Sequence, residues 1–241
     1  MKKILLVVIA LVFNFGFSQE YSYEFSSNYE VNLPNFKDFD RFYKMEYEME
    51  SDFMPNTLAE VEKKKSENKH NEIEYLIYKI SNNETLAKVK LLGDLYAEAT
   101  YKNGFLEGKK IVYHGNQMVF REANYLKGVL NGVEKYYSID GDLILETNYK
   151  NGIRNGIRKY FIPREEEVLE GNYVDGNLVG DLKFTTEYGY YLLPNDLKKW
   201  KVQGFSNNKL ISEFYIINEK DIHGEATIYF YDVNKIAMKI P

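Results

Sequence analysis

The 241 residues contain no cysteine, which removes disulfides, thiolate nucleophiles and zinc–thiolate sites at once. It also leaves no thiol to carry a lipid after an export signal. Histidine is scarce: His70, His114 and His223 are scattered, and no two stand at metal-ligand spacing. His114 and His223 each neighbour a turn glycine and read as exposed turn residues. No serine sits in a Gly-x-Ser-x-Gly elbow, and the glycines follow no phosphate-cradling pattern. Asp140-Gly141-Asp142 lacks the remaining ligands of a calcium loop. There is no basic excess, since 31 Lys and Arg face 36 Asp and Glu, and a nucleic-acid partner needs a basic stripe. These gaps leave no catalytic residue, cofactor site or metal site to assign.

What is abundant is aromatic side chain, with 22 Tyr and 15 Phe but one Trp. Tyr and Phe favour strands, which tilts the expectation towards β structure. The first 18 residues have the layout of a secretory signal peptide: Lys2 and Lys3, an apolar run from Ile4 to Phe15 broken only by Asn14, then Gly16-Phe17-Ser18. Cleavage near Ser18 would leave 29 basic and 36 acidic residues, a net charge of −7. No second apolar run is long enough for a transmembrane helix. The expected address is the periplasm or the exterior of a Gram-negative-type bacterium, and the chain must hold itself by packing alone.

The dominant pattern is a repeat. Tyr101, Tyr125, Tyr149 and Tyr173 step by 24 residues, and each is followed by two glycines in fixed register: Gly104 and Gly108, Gly128 and Gly132, Gly152 and Gly156, Gly176 and Gly180. Each unit accommodates two strands. One starts at the second glycine and the other ends on the anchor tyrosine, with turn residues such as Gly115-Asn116, Asp140-Gly141-Asp142 and Pro163-Arg164 between them. The second glycine is expected to let an anchor ring pack over bare backbone.

Strand alternation separates two faces. Two residues before each anchor, on the side of the ring, stand Ala99, Ala123, Thr147 and Gly171. On the other side lie Glu98, Glu122, Glu146 and Glu170, together with Asn124, Asn148 and Asn172. Successive glutamates would lie about 10 Å apart. A solvated polar face is the simplest reading, and a carboxylate comb for a cation or basic partner is the sharper one.

Outside the clear repeats (96–184) the text is less regular. Residues 19–70 form an N-terminal region with one or two short helices: one starting near Asn35 after Pro34, and one over Leu58–Asn68 with Thr57 as N-cap and Glu60 three residues on. Its Lys63-Lys64-Lys65 run reads as a solvated helix face. Residues 72–97 read as a degenerate hairpin that begins the array of 71–241. Residues 187–203 look like an irregular excursion carrying Tyr190, Tyr191 and Trp200, which either covers an edge of the stack, with a helix from Asn195 to Trp200, or contacts a ligand. A degenerate last unit spans 205–241.

The Tyr-x-x-Gly-x-x-x-Gly-x-x-x-Tyr/Phe pattern resembles the MORN repeat in its bacterial variant, closely over 96–184 and weakly over 205–231. That resemblance implies an elongated single-layer antiparallel sheet of successive hairpins, beside a smaller α/β N-terminal region. It also implies a scaffold or interaction surface as the role. The expected function is therefore a non-catalytic cell-envelope or secreted scaffold, with another envelope protein as partner and edge-to-edge self-association as a further option. Exposed Glu98, Glu122, Glu146, Glu170, Asn124, Asn148, Asn172, Trp200, Tyr190 and Tyr191 form the candidate contact surface. The alternative is a glycan-binding or glycan-hydrolysing protein whose rings stack sugars and whose carboxylates act as acid and base.

Overall fold

The computed structural model describes residues 53–69, 72–162, 166–186, 189–193, 200–217, 221–222, 226–229 and 236–240. The export signal, the helix expected near Asn35 and the helix expected from Asn195 fall outside these, apart from Trp200. Among the described residues the chain is mainly strand with a single helix, α1 (Leu58–Glu67). The strands are β1 (Ile73–Lys79), β2 (Glu84–Leu91), β3 (Asp94–Lys102), β4 (Phe105–Tyr113), β5 (Val119–Leu126), β6 (Val129–Tyr137), β7 (Leu143–Lys150), β8 (Ile153–Ile162), β9 (Glu167–Val174) and β10 (Asn177–Thr186). After them come β11 (Gly189–Leu193), β12 (Trp200–Ser206), β13 (Lys209–Ile217), β14 (Asp221–Ile222), β15 (Ala226–Tyr229) and β16 (Ile236–Ile240). Hydrogen-bonded order follows chain order from β1 to β13, then β15 and β16, with β14 beside β13. This is the sheet of successive hairpins that the repeat predicts.

The described residues fall into two compact units: one from Phe53 to the end of β8 plus Asn172–Leu178, the other formed by 166–171 and the chain from Val179 onward. In the first unit the hairpins β3–β4, β5–β6 and β7–β8 turn through two residues at the first glycine of each repeat. Asn151 and Gly152 have φ of +51° and +80°, and their counterparts in the other hairpins match them. Two successive left-handed residues make the type I′ turn whose twist suits a hairpin. The strands are therefore longer than the spacing suggested. They begin just after the first glycine, not at the second.

The second glycine serves a bulge. In β5–β6 the pairing jumps from Ala123↔Glu134 to Tyr125↔Leu130, so Asn124 stands against three residues, Asn131 to Val133. Gly132 sits there at φ +110°, and a Cβ on it would lie 3.2 Å from the Asn124 Cβ. Gly156 repeats this against Asn148. The anchor tyrosine does face the second glycine of the preceding hairpin, as Gly132↔Tyr149. The side chain that crowds the glycine is nevertheless the asparagine. Its amide then donates to the carbonyl freed by the bulge, Asn124 Nδ2 to Val133 O at 2.8 Å and Asn148 Nδ2 to Ile157 O at 2.7 Å.

The core of this unit lies on the anchor-tyrosine face. Ala97, Ala99, Tyr101, Leu106, Val112, Ala123 and Tyr125 are buried there with Tyr75, Ala87 and Val89 of β1 and β2, under Met54 and Val61. The Thr57 hydroxyl accepts the Glu60 N–H and donates to the Glu60 carboxylate at 2.7 Å, starting α1 as the capping pattern predicts. Of the three lysines, Lys63 and Lys65 are exposed, as a solvated face requires.

In the other unit, residues 189–193 and 200–203 continue the sheet. β11 pairs with β10 through Leu182↔Leu193 to Thr186↔Gly189, and β12 pairs with β11 through Tyr190↔Phe205. Where it is described, this stretch supplies β11 and the start of β12, and Trp200 begins β12 opposite Ile216. The period fails here while alternation persists, and alternation alone is enough to continue a sheet.

Candidate interaction surfaces

The outward face of the first unit carries the predicted glutamates, but they do not form a bare comb. Register places Lys88 opposite Glu98, Lys135 between Glu122 and Glu146, and Lys159 opposite Glu146. Lys88 Nζ reaches Glu98 at 2.7 Å, Lys109 reaches Glu122 at 3.3 Å and Lys135 reaches Glu146 at 3.2 Å. Cross-strand pairs of opposite charge stabilise a sheet modestly. The lysines had a signal in the sequence, because Lys135, Lys159 and Lys183 share the 24-residue step.

Tyr113 donates to Glu98 at 2.8 Å. Burial pushes the Glu98 carboxyl up, yet the Lys88 and Tyr113 contacts outweigh it and hold it below the usual carboxylate range. Burial first, then the bond to Glu98, pushes the Tyr113 hydroxyl up to about 12. The Lys135 ammonium is raised by its bond to Glu146.

The predicted contact residues separate in space. Glu98, Glu122, Glu146, Asn124 and Asn148 share the outward face, where the two amides are committed to the bulges. Glu170 is half-buried and Asn172 exposed. Tyr190 and Tyr191, neighbours in β11, point to opposite sides. Tyr190 stacks on Phe205 with centroids 5.0 Å apart and takes Lys183 Nζ over its ring at 4.7 Å. Tyr191 is 4% exposed, stands opposite buried Phe184, and its hydroxyl is driven up by burial. Tyr191 is therefore removed from the contact surface.

Two features were not read from the sequence. The first is a buried polar cluster on the anchor-tyrosine face. Arg121, fully buried, donates from Nε to Glu134 Oε1 at 2.8 Å and through a second nitrogen to the same oxygen. Tyr125 and Tyr136 lie within hydrogen-bonding reach of the pair, each at 3.3 Å, and the guanidinium sits 5.6 Å from the Tyr136 ring centroid. Tyr149, raised to about 12 by burial and then by the Glu134 charge, adjoins it. Arg121 takes the column that holds Ala97 and Leu145, and Glu134 the column that holds Lys110, Arg158 and Leu182 (in sequence, offset by 24), so a charged residue recurring in an inward column was the available signal.

The second feature is the turn edge. Phe105, Leu126, Val129 and Ile153 flank the two-residue turns and are 45–50% exposed. A row of large apolar side chains in the open is a feature of contact surfaces. Successive turns are joined by backbone bonds: Gly128 N–H to Leu106 O, Gly152 N–H to Leu130 O and Gly176 N–H to Arg154 O, at 2.8 to 2.9 Å.

Among the described residues no group of three or more His, Asp or Glu side chains is placed to hold a metal ion, and no helix is long and apolar enough to cross a membrane. Neither a model of a known protein family nor a curated protein sequence matches the chain.

Proposed function

We propose that this protein is a non-catalytic MORN-like scaffold, exported from the cell, that binds another protein of the cell envelope across its hairpin array. The observation that carries the reading is the row of exposed apolar side chains at constant pitch, Phe105, Val129 and Ile153, beside an ion-paired polar face. Apolar anchors within a polar surround are the make-up of a protein interface. Paired carboxylates fit recognition better than acid–base work, because Glu98, Glu122 and Glu146 are each already committed to a lysine.

The test is affinity capture from an envelope extract with residues 19–241 as bait, followed by reconstitution with the purified partner. A defined protein bound at micromolar affinity or better supports the reading. Capture of polysaccharide instead, or hydrolysis of a glycan by the purified chain, overturns it.

A further inference from the structure

The hairpin β3–β4 already holds an extended stretch of this chain along its turn. Asn56 O accepts the Leu106 N–H at 2.9 Å, Leu58 N–H donates to Gly104 O at 2.9 Å, and Thr57 forms a β-bridge with Phe105. Behind this bridge the Tyr101 hydroxyl donates to Pro55 O at 2.5 Å and Lys110 Nζ to Met54 O at 2.9 Å. The turn edge is thus a working binding site for an extended backbone, with one occupant in place.

The next hairpins repeat the backbone of that site. Leu130 pairs with Tyr125 as Leu106 pairs with Tyr101, and its carbonyl takes the Gly152 N–H as that of Leu106 takes the Gly128 N–H. Val129 and Ile153 stand where Phe105 stands. What differs is the cover. A Cβ on Gly128 would meet Asn56 O at 3.3 Å, the bound segment itself. A Cβ on Gly152 would meet Val129 Cγ1 at 3.4 Å, and one on Gly176 would meet Ile153 Cγ2 at 3.3 Å; among the described residues nothing else lies within 4 Å of either. Val129 and Ile153 are exposed to the same degree as Phe105, which stays open beside the bound segment, so their side chains are available to flank one.

We propose that the turn edge at Gly128–Leu130, with Ile153 of the next turn beside it, binds an extended segment of the partner protein by the same backbone bridge that Asn56–Leu58 makes at Gly104–Leu106. The partner segment offers a carbonyl to the Leu130 N–H and an N–H to Gly128 O, with small or apolar side chains against Val129 and Ile153. This is strand addition at the turn end of a sheet rather than along an edge strand. It rests on the scaffold reading and names the partner's chemistry. The interface with residues 54–58 runs directly into it.

The probe is a fluorescein-labelled peptide with the sequence of residues 53–60, titrated into residues 19–241 and followed by polarisation. Saturable binding is expected. Val129→Glu with Ile153→Glu should weaken it at least about tenfold, and so should N-methylation of the peptide residue matching Leu58, which removes one backbone donor. Lys65→Ala, on the solvated face of α1, should leave it unchanged, and each variant should melt like the parent. Non-saturable binding, equal binding by the double variant, or indifference to N-methylation overturns the proposal. If the envelope partner still binds the double variant undiminished, the turn-edge assignment falls while the scaffold reading stands. If no envelope protein binds the parent chain, the scaffold reading falls whatever the peptide does.

Discussion

The β3–β4 and β5–β6 hairpins share turns, bulges and register, yet their inward columns differ in kind. Around β3 the buried residues are Ala97, Ala99 and Tyr101, packed under Met54 and Val61. One repeat later the column of Ala97 holds Arg121 and that of Lys110 holds Glu134, both buried. The lesson is that a hairpin repeat needs its turns and bulges in fixed places, while what fills the inner face is free to change. The anchor tyrosine remains in each clear repeat, and a small residue, Ala99, Ala123, Thr147 or Gly171, stands two places before it. Elsewhere an ion pair takes the places of an alanine and a lysine, and its hydrogen bonds are made inside.

The largest break in this comparison should come from the shared frame. Gly132→Val forces a β-branched residue into φ +110° with its Cβ 3.2 Å from that of Asn124, and we expect loss of the folded state or a fall of about 3 kcal/mol or more in denaturant titration. Gly108→Val meets the same positive φ but open space, and should cost less. Equal losses would mean that backbone conformation alone, and not the asparagine, dictates the glycine.

Next comes the ion pair. Arg121→Ala leaves Glu134 buried without its partner and should cost about 3–5 kcal/mol, whereas Arg121→Leu with Glu134→Leu should be near neutral. A double variant as unstable as the single one would show that the pair does more than fill its columns.

Alkaline titration separates the faces more finely. The Tyr113 hydroxyl is raised to about 12 in the folded chain, against an ordinary 10, so its share of stability is complete below pH 10 and vanishes as pH climbs through 12. Tyr113→Phe should therefore flatten the fall in melting temperature between pH 10 and 12. An unchanged slope would place the loss in the inward tyrosines, Tyr149 among them.

The smallest effect belongs to the ladder. Glu146→Ala breaks a partly exposed pair with Lys135 and should move stability by about 0.5 kcal/mol or less. A loss above 1 kcal/mol in a thermal melt would show that the outward ladder helps to hold the sheet.

Much of this architecture is legible along the chain because its causes are local. The 24-residue glycine columns, the alternation around Glu98 or Ala123 and the Thr57 cap each depend on a few neighbouring residues. The candidate surface was only half legible. Glu122 and Glu146 stand on the outward face as alternation dictates, but the lysines that pair with them, Lys109 and Lys135, come from the preceding strand, and only register shows which lysine meets which glutamate. Tyr191 was placed with Tyr190 because they adjoin in a stretch that had lost its period, where no anchor residue marks which side is in. The role of Asn124 was hidden for another reason: only the bulge shows that its amide is spent on Val133.

By itself the sequence determined that hairpins follow one another at constant pitch, since left-handed Asn-Gly pairs and strand alternation act over a few residues. Tertiary structure alone decided which groups meet: Arg121 with Glu134, Lys135 with Glu146, and Asn56–Leu58 with the Gly104–Leu106 turn. Those contacts join residues 11 to 50 positions apart, and only pairing register and the return of the chain across the turn edge set their distances.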